Sequence, residues 1–224
     1  LGLSKTSTAG GNDVTGTVTI DGMAPAGGLT VTLSSSNSKV VVPASVTIPE
    51  GMTEATFTAT TVSTAVATDV TVTASARGVV LNKGITITAP VVVSVVSNPA
   101  SITGSNTGTA TVTLDGPAPS SWVVTIASDN PALGFGLVAG VQVATKTTAV
   151  ATGARSVNVS MTTAYVTADT PVNVTASRAG VSATTVVNVL PPAPASVVLT
   201  PASVRGGVNT SLKVNITAKA PVGG

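Results

Sequence analysis

The chain of 224 residues carries ten Lys plus Arg, eight Asp plus Glu, no His and no Cys, for a formal net charge of +2. These absences exclude Ser-His-Asp and Cys-His catalysis, imidazole and thiolate metal sites, and disulfides. Forty Val and 39 Thr residues dominate the composition, and β-branched side chains favour strands. In chain order, Val18 and Ile20 alternate with Thr17 and Thr19. Leu29, Val31 and Leu33 then alternate with Thr30 and Thr32. Val46 and Ile48 lead into a Pro49-Glu50-Gly51 turn. Ala55, Phe57 and Ala59 alternate with Thr56, Thr58 and Thr60, and Val70 and Val72 with Thr71 and Thr73. Ile85 and Ile87 close the series. This pattern predicts seven or eight short strands in about 90 residues, and no stretch shows a helical apolar stripe. The expected fold class is all-β: antiparallel sandwiches with an apolar inner face and a Thr/Ser outer face.

The chain repeats itself. Gly10-Gly11-Asn12, Thr17-Val18-Thr19-Ile20-Asp21-Gly22 and Ala24-Pro25 return 94 residues later as Gly104-Ser105-Asn106, Thr111-Val112-Thr113-Leu114-Asp115-Gly116 and Ala118-Pro119. They return once more, 102 residues further on, as Gly206-Gly207, Val214-Asn215-Ile216 and Ala220-Pro221. Val70–Ser75 likewise matches Val172–Ser177. The change of offset marks an insertion, because Asn37 to Gly51 is 14 residues whereas Asn130 to Gly153 is 23. The expected organisation is a sandwich over 1–90, a second over 91–193 with the insertion, and the first two strands of a third over 194–224. Prolines at Pro90, Pro191, Pro192 and Pro194 stiffen the joints.

These repeated segments, together with Val42-Pro43-Ala44-Ser45-Val46-Thr47-Ile48-Pro49-Glu50-Gly51, resemble the tandem immunoglobulin-like repeats of prokaryotic cell-surface proteins. Bacterial Ig-like and invasin-type modules are of this kind. The resemblance covers essentially the whole chain. It implies Greek-key Ig-like sandwiches, an extracellular or cell-surface setting and a spacer or scaffold role, and it brings no catalytic motif.

Individual residues carry little chemistry. Trp122 lies in phase with Val124 and Ile126, which places it in the core rather than on a sugar. Tyr165 is expected in a loop, half-packed on its own domain. Asp21 and Asp115 occupy equivalent turns, where one carboxylate each suits backbone capping better than calcium. Asn158, Asn173, Asn209 and Asn215 open Asn-x-Ser/Thr triplets, which a Thr-rich chain produces by chance. The alternating Thr107, Thr109, Thr111 and Thr113 suit a solvated strand face better than a flat ice-binding one. Lys5 is the candidate for an isopeptide bond.

No catalytic, cofactor-binding or metal-ligating residue is assigned, no cofactor is expected, and the chain is read as no enzyme. Scattered basic residues without interleaved aromatics exclude a nucleic-acid surface. The longest apolar stretch, around 89–96, is too short to cross a bilayer. The chain does not open with Met and shows no leader, so it is expected to be a mature or excised segment. The expected function is a non-catalytic repeat region of a prokaryotic extracellular stalk, adhesin, sheath or filament. Its expected partners are copies of itself or further Ig-like repeats, with surface glycans or host proteins as others. The alternative is a binding module, either a virion decoration or fibre domain or a carbohydrate-binding accessory domain of a secreted enzyme.

Overall fold

The computed structural model describes residues 1–218, which form strands, turns and bends without a helix. They make two compact units. The first comprises Leu1–Val91 with Leu114–Trp122 and Val150–Arg155. The second comprises Val92–Thr113, Val123–Ala149 and the chain from Ser156 on.

The first repeat holds nine strands: β1 (Gly2–Leu3), β2 (Ser7–Ala9), β3 (Val14–Thr19), β4 (Leu29–Ser35), β5 (Val40–Val41), β6 (Ser45–Ile48), β7 (Glu54–Thr61), β8 (Thr68–Ala76) and β9 (Val79–Thr88). One sheet runs β1-β3-β7-β5 and the other β2-β9-β8-β4-β6. In immunoglobulin lettering these are A-B-E and A′-G-F-C with short edge strands added, the division that defines an Ig-like sandwich. All pairings are antiparallel except that β2 runs parallel to β9, Ser7–Ala9 against Thr86–Thr88.

The strands expected at Leu29–Leu33, Ala55–Thr60 and Val70–Thr73 lie inside β4, β7 and β8. The two-residue β1 and β5 and the three-residue β2 have too few positions for alternation to register. Ile20 falls one residue beyond the end of β3.

Alternation builds the core. Val14, Val18, Val31, Leu33, Ile48, Phe57, Val70, Val72, Ile85 and Ile87 are buried in one cluster, while the Thr residues between them face outward. Each fully buried Val or Ile contributes roughly 1.5–3 kcal/mol. Phe57 lies across from Gly16 in the β3–β7 ladder. A Cβ on Gly16 would sit 2.1 Å from the ring, so the glycine makes room for the aromatic. The matching pair in the second repeat is Ala110 with Val159, a complementary exchange that conserves volume.

The second repeat repeats this plan with β10 (Val92–Asn98), β11 (Ser101–Thr103), β12 (Thr107–Leu114), β13 (Trp122–Ser128), β14 (Leu133–Gly134), β15 (Leu137–Val138), β16 (Val141–Gln142), β17 (Thr145–Val150), β18 (Ser156–Thr163), β19 (Thr170–Arg178) and β20 (Val181–Leu190). The sheets are β10-β12-β18-β14 and β11-β20-β19-β13-β17, and β11 again runs parallel to the last strand. The insertion carries the small β15–β16 hairpin, whose Leu137, Val138 and Val141 are exposed.

Three hairpins turn through two left-handed residues: Arg77-Gly78 (φ 49 and 82), Ala139-Gly140 (50 and 81) and Ala179-Gly180 (49 and 82). That geometry is the type I′ turn, whose twist matches the flanking strands.

A last hairpin, β21 (Pro194–Thr200) and β22 (Ser211–Ile216), follows. Residues 219–224 of the sequence-predicted third unit lie outside the described residues.

Candidate interaction surface

The β21–β22 hairpin has two unlike faces. Val197 pairs with Val214 and Leu199 with Leu212, while Ser196 pairs with Asn215 and Thr200 with Ser211. Opposed residues share a face. One face is therefore Val197, Leu199, Leu212 and Val214, joined by Ile216. The other is Ser196, Thr200, Ser211 and Asn215 with Val198 and Lys213. Asn215 Nδ2 donates to Ser196 Oγ at 2.8 Å on this second face.

The apolar face is open. Leu212, Val214 and Ile216 are 61%, 51% and 42% exposed. Their counterparts 102 residues earlier are Ala110, Val112 and Leu114, at 0%, 0% and 3%. There, β12 is flanked by β10 on one edge and β18 on the other. Among the described residues, β21 and β22 pair only with each other. An isolated two-stranded ribbon is marginal in water, and its free edge presents unpaired backbone groups. The described residues supply the hairpin alone.

The structure also places the residues that the sequence singles out, with Asp21 exposed in the bend that follows β3. Trp122 is buried at the start of β13, as its phase requires. Tyr165 is half-exposed in the loop after β18, beside Asn130, Pro131 and Ala132. Asp115 caps a more distant backbone group than a turn-forming Asp would. Its Oδ1 accepts from the Val91 N–H at 2.8 Å. Asn158, Asn173 and Asn215 lie within β18, β19 and β22, and Asn209 lies in the loop before β22. Thr111 donates to Asn158 Oδ1 at 2.9 Å, so that Thr/Asn face makes ordinary cross-strand hydrogen bonds. Lys5 is exposed.

Two polar clusters carry no sequence signal. Within the first compact unit, Arg155 donates from Nη2 to the Gly11 carbonyl and Asn12 Oδ1 at 2.8 and 2.9 Å, and from Nη1 to the Asp115 carbonyl at 3.0 Å. Asn12 Nδ2 donates to the same Asp115 carbonyl at 2.9 Å. Arg155 and Asp115 both lie more than 100 residues from Gly11 and Asn12 in sequence, so spacing alone could not join them. The second cluster is Asp129 with Asn173, whose side-chain amide and backbone N–H donate to the carboxylate at 2.6 and 2.9 Å. Those hydrogen bonds hold the Asp129 carboxyl below the usual carboxylate range. Among the described residues, no three carboxylates gather where they could hold a metal ion.

No protein-family model matches the chain, and no curated protein matches it at a significant level. Among solved structures, the adhesin InvE of Yersinia pseudotuberculosis is similar at 19% identity and a TM-score of 0.31, over 84% of this chain and 57% of that one. Domains 4–9 of surface layer protein SbsC give 16% and 0.28, over 88% and 32%. The I9–I11 tandem from titin gives 8% and 0.31, over 88% and 68%. The chain thus spans less than two thirds of the InvE and SbsC chains. The Ig-like assignment rests on the strand order above.

Proposed function

We propose that this chain is a non-catalytic structural repeat region of a prokaryotic cell-surface stalk, adhesin, sheath or filament, with its modules serving as semi-rigid spacers. The observation that carries the reading is the tandem recurrence of one Ig-like sandwich, followed by a hairpin that repeats the opening strands of that sandwich with its apolar face open. The partner of that face is a further Ig-like repeat or a copy of this chain. The extracellular setting is supported by the resemblance to surface repeats, and the absence of His and Cys from the sequence favours a scaffold over an enzyme.

The sheet order suits a load-bearing role. In each repeat an early strand lies parallel to the last: Ser7–Ala9 on Thr86–Thr88, and Ser101–Thr103 on Asn188–Leu190. Pulling such a module by its ends loads this parallel pair in shear, so its hydrogen bonds must break together. Single-molecule extension of the whole chain tests this. Two separate unfolding events are expected, each releasing roughly 25–30 nm at about 3.5 Å per residue. Extension without resolved force peaks would remove the spacer reading.

A further inference from the structure

The two repeats differ at one end of the sandwich. In the first, a cavity of about 380 Å³ opens between the sheets, lined by Ile20, Met23, Leu29, Ala76 and Leu81. Its volume is in the range of sites that hold small ligands. The second repeat differs at all five, with Leu114 and Pro117 standing where the first has Ile20 and Met23. Trp122 opens β13 where Leu29 opens β4. Arg178 precedes the β19–β20 turn where Ala76 precedes the β8–β9 turn, and Ala183 pairs with Ala176 where Leu81 pairs with Ala74. Trp122 is 5% exposed, and Arg178 donates from Nη1 to the Val123 carbonyl. The second repeat thus brings its own indole and guanidinium to positions where the first has the smaller Leu29 and Ala76. Leu29 stays only half-buried and Met23 is 79% exposed.

We propose that this cavity in the first repeat is a binding site for an uncharged aromatic side chain of tryptophan size, presented by a partner polypeptide. At the position that matches Leu29 the sister repeat buries an indole, Trp122. The lining also carries one charge of each sign, Asp21 and Arg77. A carboxylate accepts an indole N–H, and a guanidinium favours an aromatic face. The balanced pair selects a neutral ring over a charged one. A second copy of the chain is a poor donor, because its single tryptophan, Trp122, is buried and its half-exposed aromatic, Tyr165, is smaller than an indole. The site is independent of the spacer role.

The test is methyl NMR of the full chain titrated with N-acetyl-L-tryptophanamide, with N-acetyl-L-leucinamide as control. The Met23 and Leu81 methyl resonances are expected to move saturably at millimolar tryptophanamide and not to move with the leucine probe. Two variants each place a sister-repeat side chain in the cavity, Leu29→Trp and Ala76→Arg. Each variant that keeps the strand circular dichroism of the parent is expected to lose the response, so either one suffices. Absence of saturable shifts up to the solubility limit overturns the proposal. So does an equal response to the leucine probe, or an undiminished response in a folded variant.

Discussion

Val112→Asp is expected to unfold the second repeat, whereas Val214→Asp, at the matching position of the third, is expected to leave thermal stability unchanged. Val112 is fully buried in β12, between β10 and β18. An unpaired carboxylate there loses its hydration without gaining a partner, a change of more than about 4 kcal/mol. Val214 holds the matching repeat position but is 51% exposed, and a solvated substitution stays within about 0.5 kcal/mol. Thermal melts followed by circular dichroism separate the two. A large loss of stability in Val214→Asp would mean that the hairpin's apolar face is already covered within a single chain.

Trp122→Ala is expected to cost roughly 3–5 kcal/mol, the usual loss for removing a buried aromatic. The matching change in the first repeat, Leu29→Ala, is expected to cost less than about 2 kcal/mol, because Leu29 is half-buried beside an open cavity and leaves little new void. Denaturant titrations of the two variants against the parent give both values. Equal costs would show that the two sandwich ends pack alike.

The strands long enough to alternate were legible in the sequence, because Val/Thr alternation has one reading once a core lies on one side. Phe57 and Trp122 could be assigned to that core by phase alone. The repeat offsets located the insertion, which forms the β15–β16 hairpin. What escaped were features without local periodicity. β1, β2 and β5 are too short to alternate, and the parallel β2–β9 pairing joins residues some 80 positions apart. Arg155 looked like one more scattered cation, since its acceptors at Gly11 and Asn12 come close only in the folded chain. Asp115 read as a turn-capping residue, yet it accepts from Val91. The cavity beside Leu29 needed the fold as well. The Leu-to-Trp, Ala-to-Arg and Leu-to-Ala exchanges are visible in the aligned repeats, but only the sheets bring them to one place.

If the β21–β22 hairpin opens an Ig-like sandwich of a tandem array, the strands that complete that sandwich close over its apolar face. The chain has no Cys, so Val214→Cys gives a single thiol reporter at the centre of the open face. Thiol labelling rates are measured in the chain alone and in a fusion that continues after Ile216 with a copy of residues 115–193, the segment that completes the second repeat. Rapid labelling alone and labelling slowed by roughly two orders of magnitude in the fusion are predicted, because a core thiol reacts only on opening of the sandwich. Equal labelling rates would contradict the account.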